Sequence, residues 1–195
     1  MMVKKAKFDR QEVINKATNL FWKKGFHATS MRNLQDEIDM RPASIYDTFG
    51  SKEGLFKEVL RNYTDMGLAK IRQCQDEDDS LLESLKALVK SQVIATQANS
   101  ANSVCMLVKT LNELTEDSQE LVDITKAHLM EFLAEFVLIL EKAKTLGELD
   151  QSKDVQVIAN YLQIQMTGLR AHAKIITDKN ELDGMINSMF KHYPF

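Results

Sequence analysis

Apolar residues in the first third of the chain recur at helical spacing in short blocks, each bounded by a capping or helix-ending residue. Asp9 can begin the first block and Gly25 can end it, because glycine commonly follows a helix in a left-handed C-cap. One buried stripe is formed by Val13, Ile14, Ala17, Leu20 and Phe21. The pattern predicts a first helix that packs along a single face.

The second block predicts a short helix followed by a tight turn. Thr29 and Ser30 are both residue types that cap helix N-termini. The inward-facing residues of this helix are Met31, Leu34 and Ile38. The turn contains Asp39, because aspartate tolerates a left-handed backbone better than most residues.

The third block begins at Pro42, whose fixed φ and missing N–H suit the first position of a helix. Ile45 and Phe49 are four residues apart and are predicted to point inward, with Tyr46 at the edge. The outward face then carries Pro42, Ala43, Ser44, Asp47 and Thr48. A face of such small residues fits deep in a DNA major groove of roughly 12 Å width. The arrangement predicts a helix-turn-helix DNA reader.

Ser51 is predicted to cap the next helix, which places Lys52 in the first turn of that helix. A cation is unfavourable there, because the helix dipole is positive at its N-terminus. A phosphate docked at the same place would contact both the free N–H groups and the ammonium. We therefore predict that Lys52 binds the DNA backbone.

These motifs resemble the TetR family of bacterial transcriptional regulators. The matching residues are Leu20-Phe21, Gly25-Phe26, Thr29-Ser30-Met31, Ser44-Ile45-Tyr46, Phe49, Ser51-Lys52-Glu53 and Leu55. The resemblance implies phosphate or flanking-base contacts from Thr29, Arg32, Tyr46 and Lys52, and a base-edge surface formed by Pro42, Ala43, Ser44 and Thr48. The full set of predicted DNA-binding residues adds Ser30 and Arg41.

Three residues depart from the family pattern: Gln35, Asp39 and Arg41. Arg41 stands where the recognition helix usually has a small capping residue. A cation at this position can reach a phosphate or a guanine edge, and a good bidentate guanine contact discriminates by about 1–3 kcal/mol. Arg41 is therefore where this protein is expected to read DNA differently.

The rest of the chain predicts a helical body of residues 52–195 behind a DNA-binding head of residues 1–51. A connecting helix is predicted over residues 52–73, and the longest helix begins at residues 115–117 and runs to Leu146. Two terminal amphipathic helices, over residues 152–176 and 180–192, have spare apolar surface. They predict a homodimer that binds a pseudo-palindromic operator, although a monomer that buries this surface internally is the alternative.

Composition and charge agree with this picture. The chain has 195 residues with only 7 Gly and 2 Pro, which favours an all-α fold of about nine helices. Residues 1–63 carry 12 Lys and Arg against 8 Asp and Glu, whereas residues 64–195 carry 13 against 20. Such asymmetry suits a nucleic-acid head on an acidic body, although a chance gradient gives the same counts.

The cysteine content and the hydropathy place the protein in the cytoplasm. Cys74 and Cys105 are too few for a disulfide framework or a zinc ribbon. The N-terminus lacks the apolar segment of a signal peptide, and no apolar run approaches the roughly 18 residues of a membrane span. We expect no cofactor, no metal and no membrane contact.

Polar residues in the apolar context of the body are the candidates for binding a small-molecule or reactive effector. They are Cys105, His128, Tyr161, Gln165, Arg170 and His172. Each has a simpler interpretation as a satisfied core or interface group. Cys105 lies in an apolar run and is an inert buried thiol on that interpretation, whereas the resemblance implies a redox- or electrophile-sensing cysteine near this position.

The sequence therefore predicts a homodimeric repressor that a bound effector releases from DNA. An all-α sensing or adaptor protein whose head no longer binds DNA is the alternative. An enzyme is disfavoured, because the Glu-x-x-His pairs of di-iron proteins, a glycine-rich phosphate loop and a nucleophile elbow are all missing.

Overall fold

A computed structural model describes residues 8–75, 80–98, 104–176, 178–192 and 194–195. Within these ranges all regular secondary structure is helical, which confirms the predicted all-α fold. The nine α-helices there are α1 Arg10–Lys24, α2 Met31–Ile38, α3 Pro42–Phe49, α4 Lys52–Gln73, α5 Leu81–Ala98, α6 Met106–Glu113, α7 Gln119–Thr145, α8 Val155–His172 and α9 Lys179–Lys191. A 3₁₀ turn, Glu116–Ser118, precedes α7.

The caps of the first helices follow the local sequence signals. The Asp9 carboxylate accepts hydrogen bonds from two N–H groups in the first turn of α1. Ser30 and Asn33 form a reciprocal capping box at the start of α2, with a 3.1 Å bond from the Asn33 N–H to the Ser30 hydroxyl. Asp39 ends α2 in the left-handed conformation, at φ 52° and ψ 44°, and Pro42 occupies the first turn of α3. These expectations are confirmed.

Thr29 differs from its prediction, because it does not cap α2. Its side chain is fully buried, and its hydroxyl donates a 2.6 Å hydrogen bond to the Gly25 carbonyl oxygen. Gly25 ends α1 with a positive φ of 91° but a ψ of 169°, so its backbone is extended rather than left-handed helical. Thr29 therefore stabilises the α1–α2 connection from within the core, and its buried hydroxyl is not accessible to a phosphate.

The apolar core of the head continues into the body. Leu34, Ile45 and Phe56 are almost completely buried in one cluster, which also contains Met106 and Leu107 of α6. A second cluster joins the ends of α4 and α7 to α5, α8 and α9. The head is thus packed on the body through α4 and α6, and the domain boundary between residues 51 and 52 stays a prediction.

Two α6 side chains, Lys109 and Glu113, hold the end of α1, and we call this pair the α6 clamp. The Lys109 ammonium donates 2.9 Å hydrogen bonds to two carbonyl oxygens in the last turn of α1. The Glu113 carboxylate accepts hydrogen bonds of 2.9 and 2.6 Å from two N–H groups just after Gly25. The main-chain partners are Trp22 and Lys23 for Lys109, and Phe26 and His27 for Glu113. The head cannot move relative to α6 without breaking these bonds.

Candidate DNA interface and internal cavity

The exposed face of α3 is made of small side chains. Pro42 and Ala43 are exposed, Ser44 and Thr48 are partly exposed, and Tyr46 is half exposed at the edge of this face. Ile45 and Phe49, by contrast, are buried against the head core. The geometry matches the predicted inward and outward faces, and it leaves the α3 backbone free to approach a groove closely.

Arg41 occupies the N-cap position of α3, but its side chain makes no capping hydrogen bond. The residue is exposed, so its side chain is accessible at the start of the helix. Five N–H donors in a planar fork suit a phosphate or a guanine edge. Arg41 therefore leaves the N-terminus of α3 without a side-chain cap and places a cation there.

Lys52 lies at the base of the head, where its ammonium is 4.3 Å from the centre of the Phe26 ring. Partial burial lowers the pKa of Lys52, and the carboxylates of Glu53 and Glu113 offset part of that effect. The Ser51 hydroxyl accepts a 3.0 Å hydrogen bond from the Gly54 N–H and so caps α4 as predicted. A phosphate at this helix start would compete with the Phe26 ring for the ammonium.

The other two predicted contact residues of the head lie at the start of α2. Ser30 is exposed, although its hydroxyl is already engaged by the Asn33 N–H. Arg32 is exposed on the outer side of the same turn. Of the ten predicted DNA-binding residues, only Thr29 has its side chain sealed in the core.

A cavity of about 480 Å³ lies between the head and the body. Its size falls within the range of pockets that hold drug-sized ligands. The lining comes from α1, α4, α5, α7 and α8 and from the residues around the start of α6. The cavity therefore has one wall in the DNA-binding head and the other walls in the body.

Two of the six predicted effector residues, Cys105 and Arg170, line this cavity. Tyr161 and Gln165 lie elsewhere, in a surface cleft between α8 and α9. His172 is exposed at the last residue of α8. The cavity thus brings together the thiol and the guanidinium, but it excludes the other α8 candidates.

His128 belongs to a charged network between α4 and α7 and is absent from the cavity lining. Its Nδ1 lies 2.8 Å from a carboxylate oxygen of Glu131, which also accepts two 2.8 Å hydrogen bonds from Arg61. Burial opposes ionisation of Glu131, but the bonds from His128 and Arg61 prevail and lower its pKa. Because of this network, His128 fits the satisfied-interface alternative.

Sequence reasoning missed the polar residues that the head and α4 contribute to the cavity. They include Asn15, Asn19, Asn62 and Tyr63. Asparagine is common on the solvent-facing side of an amphipathic helix. Its presence there therefore does not indicate a ligand-binding site. The one available hint was the spacing of Asn15, Asn19 and Trp22, which share a face of α1.

The structure gives no sign of a metal centre or a membrane segment within the residues it describes. Across those ranges, no three His, Cys, Asp or Glu side chains cluster as they would to hold a metal ion. Among the same residues, none of the helices has the length and apolarity to cross a membrane.

The fold and the two sites define a helix-turn-helix DNA-binding protein with a ligand-sized cavity behind its head. Residues 13–59 match the family described as bacterial regulatory proteins of the tetR family. Residues 82–189 match the tetracyclin repressor-like C-terminal domain. The chain belongs to the TetR family of transcriptional regulators and binds DNA through its head.

Two curated relatives and one solved structure illustrate the similarity. An uncharacterised HTH-type regulator of Bacillus subtilis (strain 168), YezE, is 24% identical over 187 residues, which cover 95% of this chain and 96% of YezE. The repressor ComR of Escherichia coli (strain K12) is 28% identical over 170 residues, or 86% and 80% of the two chains. A cysteine mutant of the TetR family regulator CifR, complexed with 26-bp operator DNA, superposes with a TM-score of 0.86 at 25% identity and covers 98% of this chain and 100% of its own. These relatives are transcriptional regulators rather than enzymes.

Proposed function

We propose that this protein is a cytoplasmic, non-enzymatic repressor that binds a pseudo-palindromic operator as a homodimer and is released by a small-molecule or reactive effector. The observation that carries the proposal is the position of the cavity. Five residues of α1 form part of its lining: Gln11, Asn15, Thr18, Asn19 and Trp22. Because the head itself forms a wall, an occupant changes the free energy of head positions relative to the body.

Dimerisation is supported by the outer surface of α8 and α9. Val157 and Ile164 of α8 are exposed, as is Met185 of α9. The cleft that contains Tyr161 and Gln165 lies on this same pair of helices. Two copies that pack through this surface are related by a two-fold axis, so their heads face two inverted half-sites.

Release follows from the spacing of the two heads. Heads that bind successive major grooves on one face of DNA lie about 34 Å apart. Val108 of α6 borders the cavity, and Lys109 and Glu113 on the same helix clamp α1. An effector that shifts α6 therefore also shifts the head. If the effector binds more tightly to the protein when the two heads are not about 34 Å apart, it weakens DNA binding.

Salt dependence of operator binding tests the DNA assignment and separates it from the adaptor alternative. The operator fragment is first selected from fragmented genomic DNA, and its affinity is then measured between about 50 and 200 mM salt. We expect a steep fall for the wild type. Lys52→Ala is expected to reduce the slope of log K against log salt by roughly 1.8, since each phosphate contact contributes about 0.9 and a dimer has two such lysines.

Tyr46→Phe complements Lys52→Ala, because it removes a hydroxyl from the head without changing the charge. Its expected result is weaker binding with an unchanged salt slope. Lys142→Ala, on an exposed residue in the last turn of α7, is the matched charge control and leaves the slope unchanged. A shallow wild-type slope, or wild-type binding by both head variants, favours the adaptor.

The thiol of Cys105 supports a reactive effector as a second route to release. The side chain borders the cavity, so an electrophile in the cavity has access to it. With an α,β-unsaturated carbonyl the thiol adds across the C=C bond: a carbon–sulfur bond forms and the thiol proton ends on the α-carbon. No oxidant or leaving group is needed.

Cys105→Ser is expected to abolish release of operator DNA by such an electrophile, with N-ethylmaleimide as the probe, because serine is a far weaker nucleophile. DNA retention is measured before and after treatment. Cys74→Ser is the control, because Cys74 is 5% exposed and lies in the body core. An unchanged response in Cys105→Ser removes the reactive route and leaves reversible binding untouched.

A further inference from the structure

The charge of the cavity distinguishes it from an ordinary apolar pocket. Two basic residues, Lys70 and Arg170, contribute to its lining. Among the described residues that form the wall there is no aspartate and no glutamate. The wall that the structure describes therefore carries basic side chains and no acidic ones, although the body as a whole has more acidic than basic residues.

Arg170 is the more informative of the two cations. It is 8% exposed, whereas Lys70 is exposed. Keeping a charge out of water is costly unless an opposite charge or several hydrogen bonds offset the cost. The guanidinium has five N–H donors, so it can bind a ligand anion in addition to its interactions within the chain.

Tyr63 adds a neutral donor beside this cation. Burial raises the pKa of the Tyr63 phenol, the neighbouring Cys105 raises it further, and the positive charge of Arg170 only partly opposes this. The phenol therefore keeps its proton at neutral pH, and an anion in the cavity would compete with Cys105 for the hydrogen bond that it donates. A guanidinium and a phenol at one wall form a site that favours an acceptor with negative charge.

The aromatic wall of the cavity is the part that is lined by large apolar side chains, three of them aromatic, whereas Asn15, Asn19 and Asn62 line the cavity elsewhere. Its large side chains are Trp22, Met66, Leu129, Phe132, Phe136 and Met166. Aromatic and methionine side chains pack well against flat or irregular apolar bodies. The cavity thus combines large apolar side chains with one cationic donor, Arg170, and one neutral donor, Tyr63, in a volume of ligand size.

We propose that the cavity binds an amphiphilic organic anion, with its acid group against Arg170 and Tyr63 and its apolar body against the aromatic wall. The role of this anion as the effector rests on the proposed function, but its binding to the cavity does not. Binding and charge selection stand on the cavity itself. A carboxylate and a sulfonate present the same charged acceptor oxygens to this donor pair.

Two fluorescent probes that differ chiefly in the acid group test the proposal on the full chain. One is 8-anilinonaphthalene-1-sulfonate, and the other is N-phenyl-1-naphthylamine, which has the same rings without the sulfonate. We expect the wild type to bind the anion at least about tenfold more tightly, as a charge-assisted pair predicts. Arg170→Gln is expected to lose most of that preference while its affinity for the neutral probe changes less than about threefold.

Three further variants make the result specific. Lys174→Gln removes an equal charge at an exposed residue beyond α8 and is the control for general electrostatics. Val108→Trp places a large side chain in the cavity and is expected to weaken both probes, which excludes binding to outside surfaces. Circular dichroism checks the fold of Arg170→Gln. If that variant does not fold, Tyr63→Phe is used, with an expected loss of about threefold or more for the anion alone.

The outcomes separate the ligand class from the effector role. Equal affinity of the wild type for the two probes, or unchanged anion binding in Arg170→Gln, overturns the anionic ligand class. Anion binding that depends on Arg170 but leaves operator affinity unchanged at saturation supports the ligand class and contradicts release through this cavity. Loss of operator affinity together with Arg170-dependent binding supports both.

Discussion

Gly54→Ala is expected to destabilise the head by about 3 kcal/mol, even though alanine is favoured over glycine inside a helix by about 1 kcal/mol. Gly54 lies in the first turn of α4, directly against the end of α3. A Cβ atom there would lie far inside the contact distance of the Phe49 carbonyl oxygen. Because that oxygen belongs to the backbone, the clash is relieved only by moving α3 relative to α4.

The measurement is urea unfolding followed by circular dichroism, together with operator binding. Glu53→Ala, at the exposed neighbouring position, is the matched control and is expected to change stability by less than about 1 kcal/mol, the value of an acidic residue in the first turn of a helix. A stabilised Gly54→Ala protein that binds DNA normally would show that helix propensity outweighs the contact. The expected result is instead a destabilised protein with impaired DNA binding.

Arg41→Ser is expected to change stability and DNA affinity in opposite directions. Serine can accept a hydrogen bond from an N–H in the first turn of α3, which the Arg41 side chain does not do, and such a cap stabilises by about 1 kcal/mol. The same change removes a cation from each head of the dimer. Operator affinity is therefore expected to fall by about 100-fold, which corresponds to about 1.4 kcal/mol for each of the two contacts, near the lower end of the range for such contacts.

Arg41→Lys distinguishes the two kinds of contact that Arg41 can make. A phosphate contact survives the change largely intact, whereas a bidentate guanine contact does not, because lysine lacks the planar fork. Selection of bound sequences for the two variants reads this directly: a phosphate contact weakens all sequences alike, and a base contact relaxes one operator position. Wild-type affinity in Arg41→Ser would mean that the side chain points away from the DNA.

The head was predictable because its signals are local. Pro42 fixes its own φ, Asp39 tolerates the left-handed conformation of the turn, and Asp9 caps the helix that starts beside it. Thr29 and Ser30 show the limit of such signals. Both are capping residue types, and only the packing of the chain around Gly25 decides that Ser30 caps α2 while Thr29 is buried.

The cavity was predictable only in part, because its lining depends on which helix faces meet. Cys105 and Arg170 were found as polar groups in apolar segments, and both line it. Tyr161 and Gln165 satisfy the same criterion, yet they lie on the outer face of α8. Asn15 of the head could not be found this way, since its role depends on the docking of α1 against α4.

The α6 clamp also bears on how new members of such a family arise. Among the described residues, the hydrogen bonds that Lys109 and Glu113 make to the head all go to main-chain carbonyl and N–H groups. Side chains on α2 and α3 can therefore diverge toward a different operator while the joint to the body stays intact. DNA specificity can thus change through α2 and α3 while ligand control is kept, provided that a new head retains both the backbone course of α1 and its cavity-lining side chains.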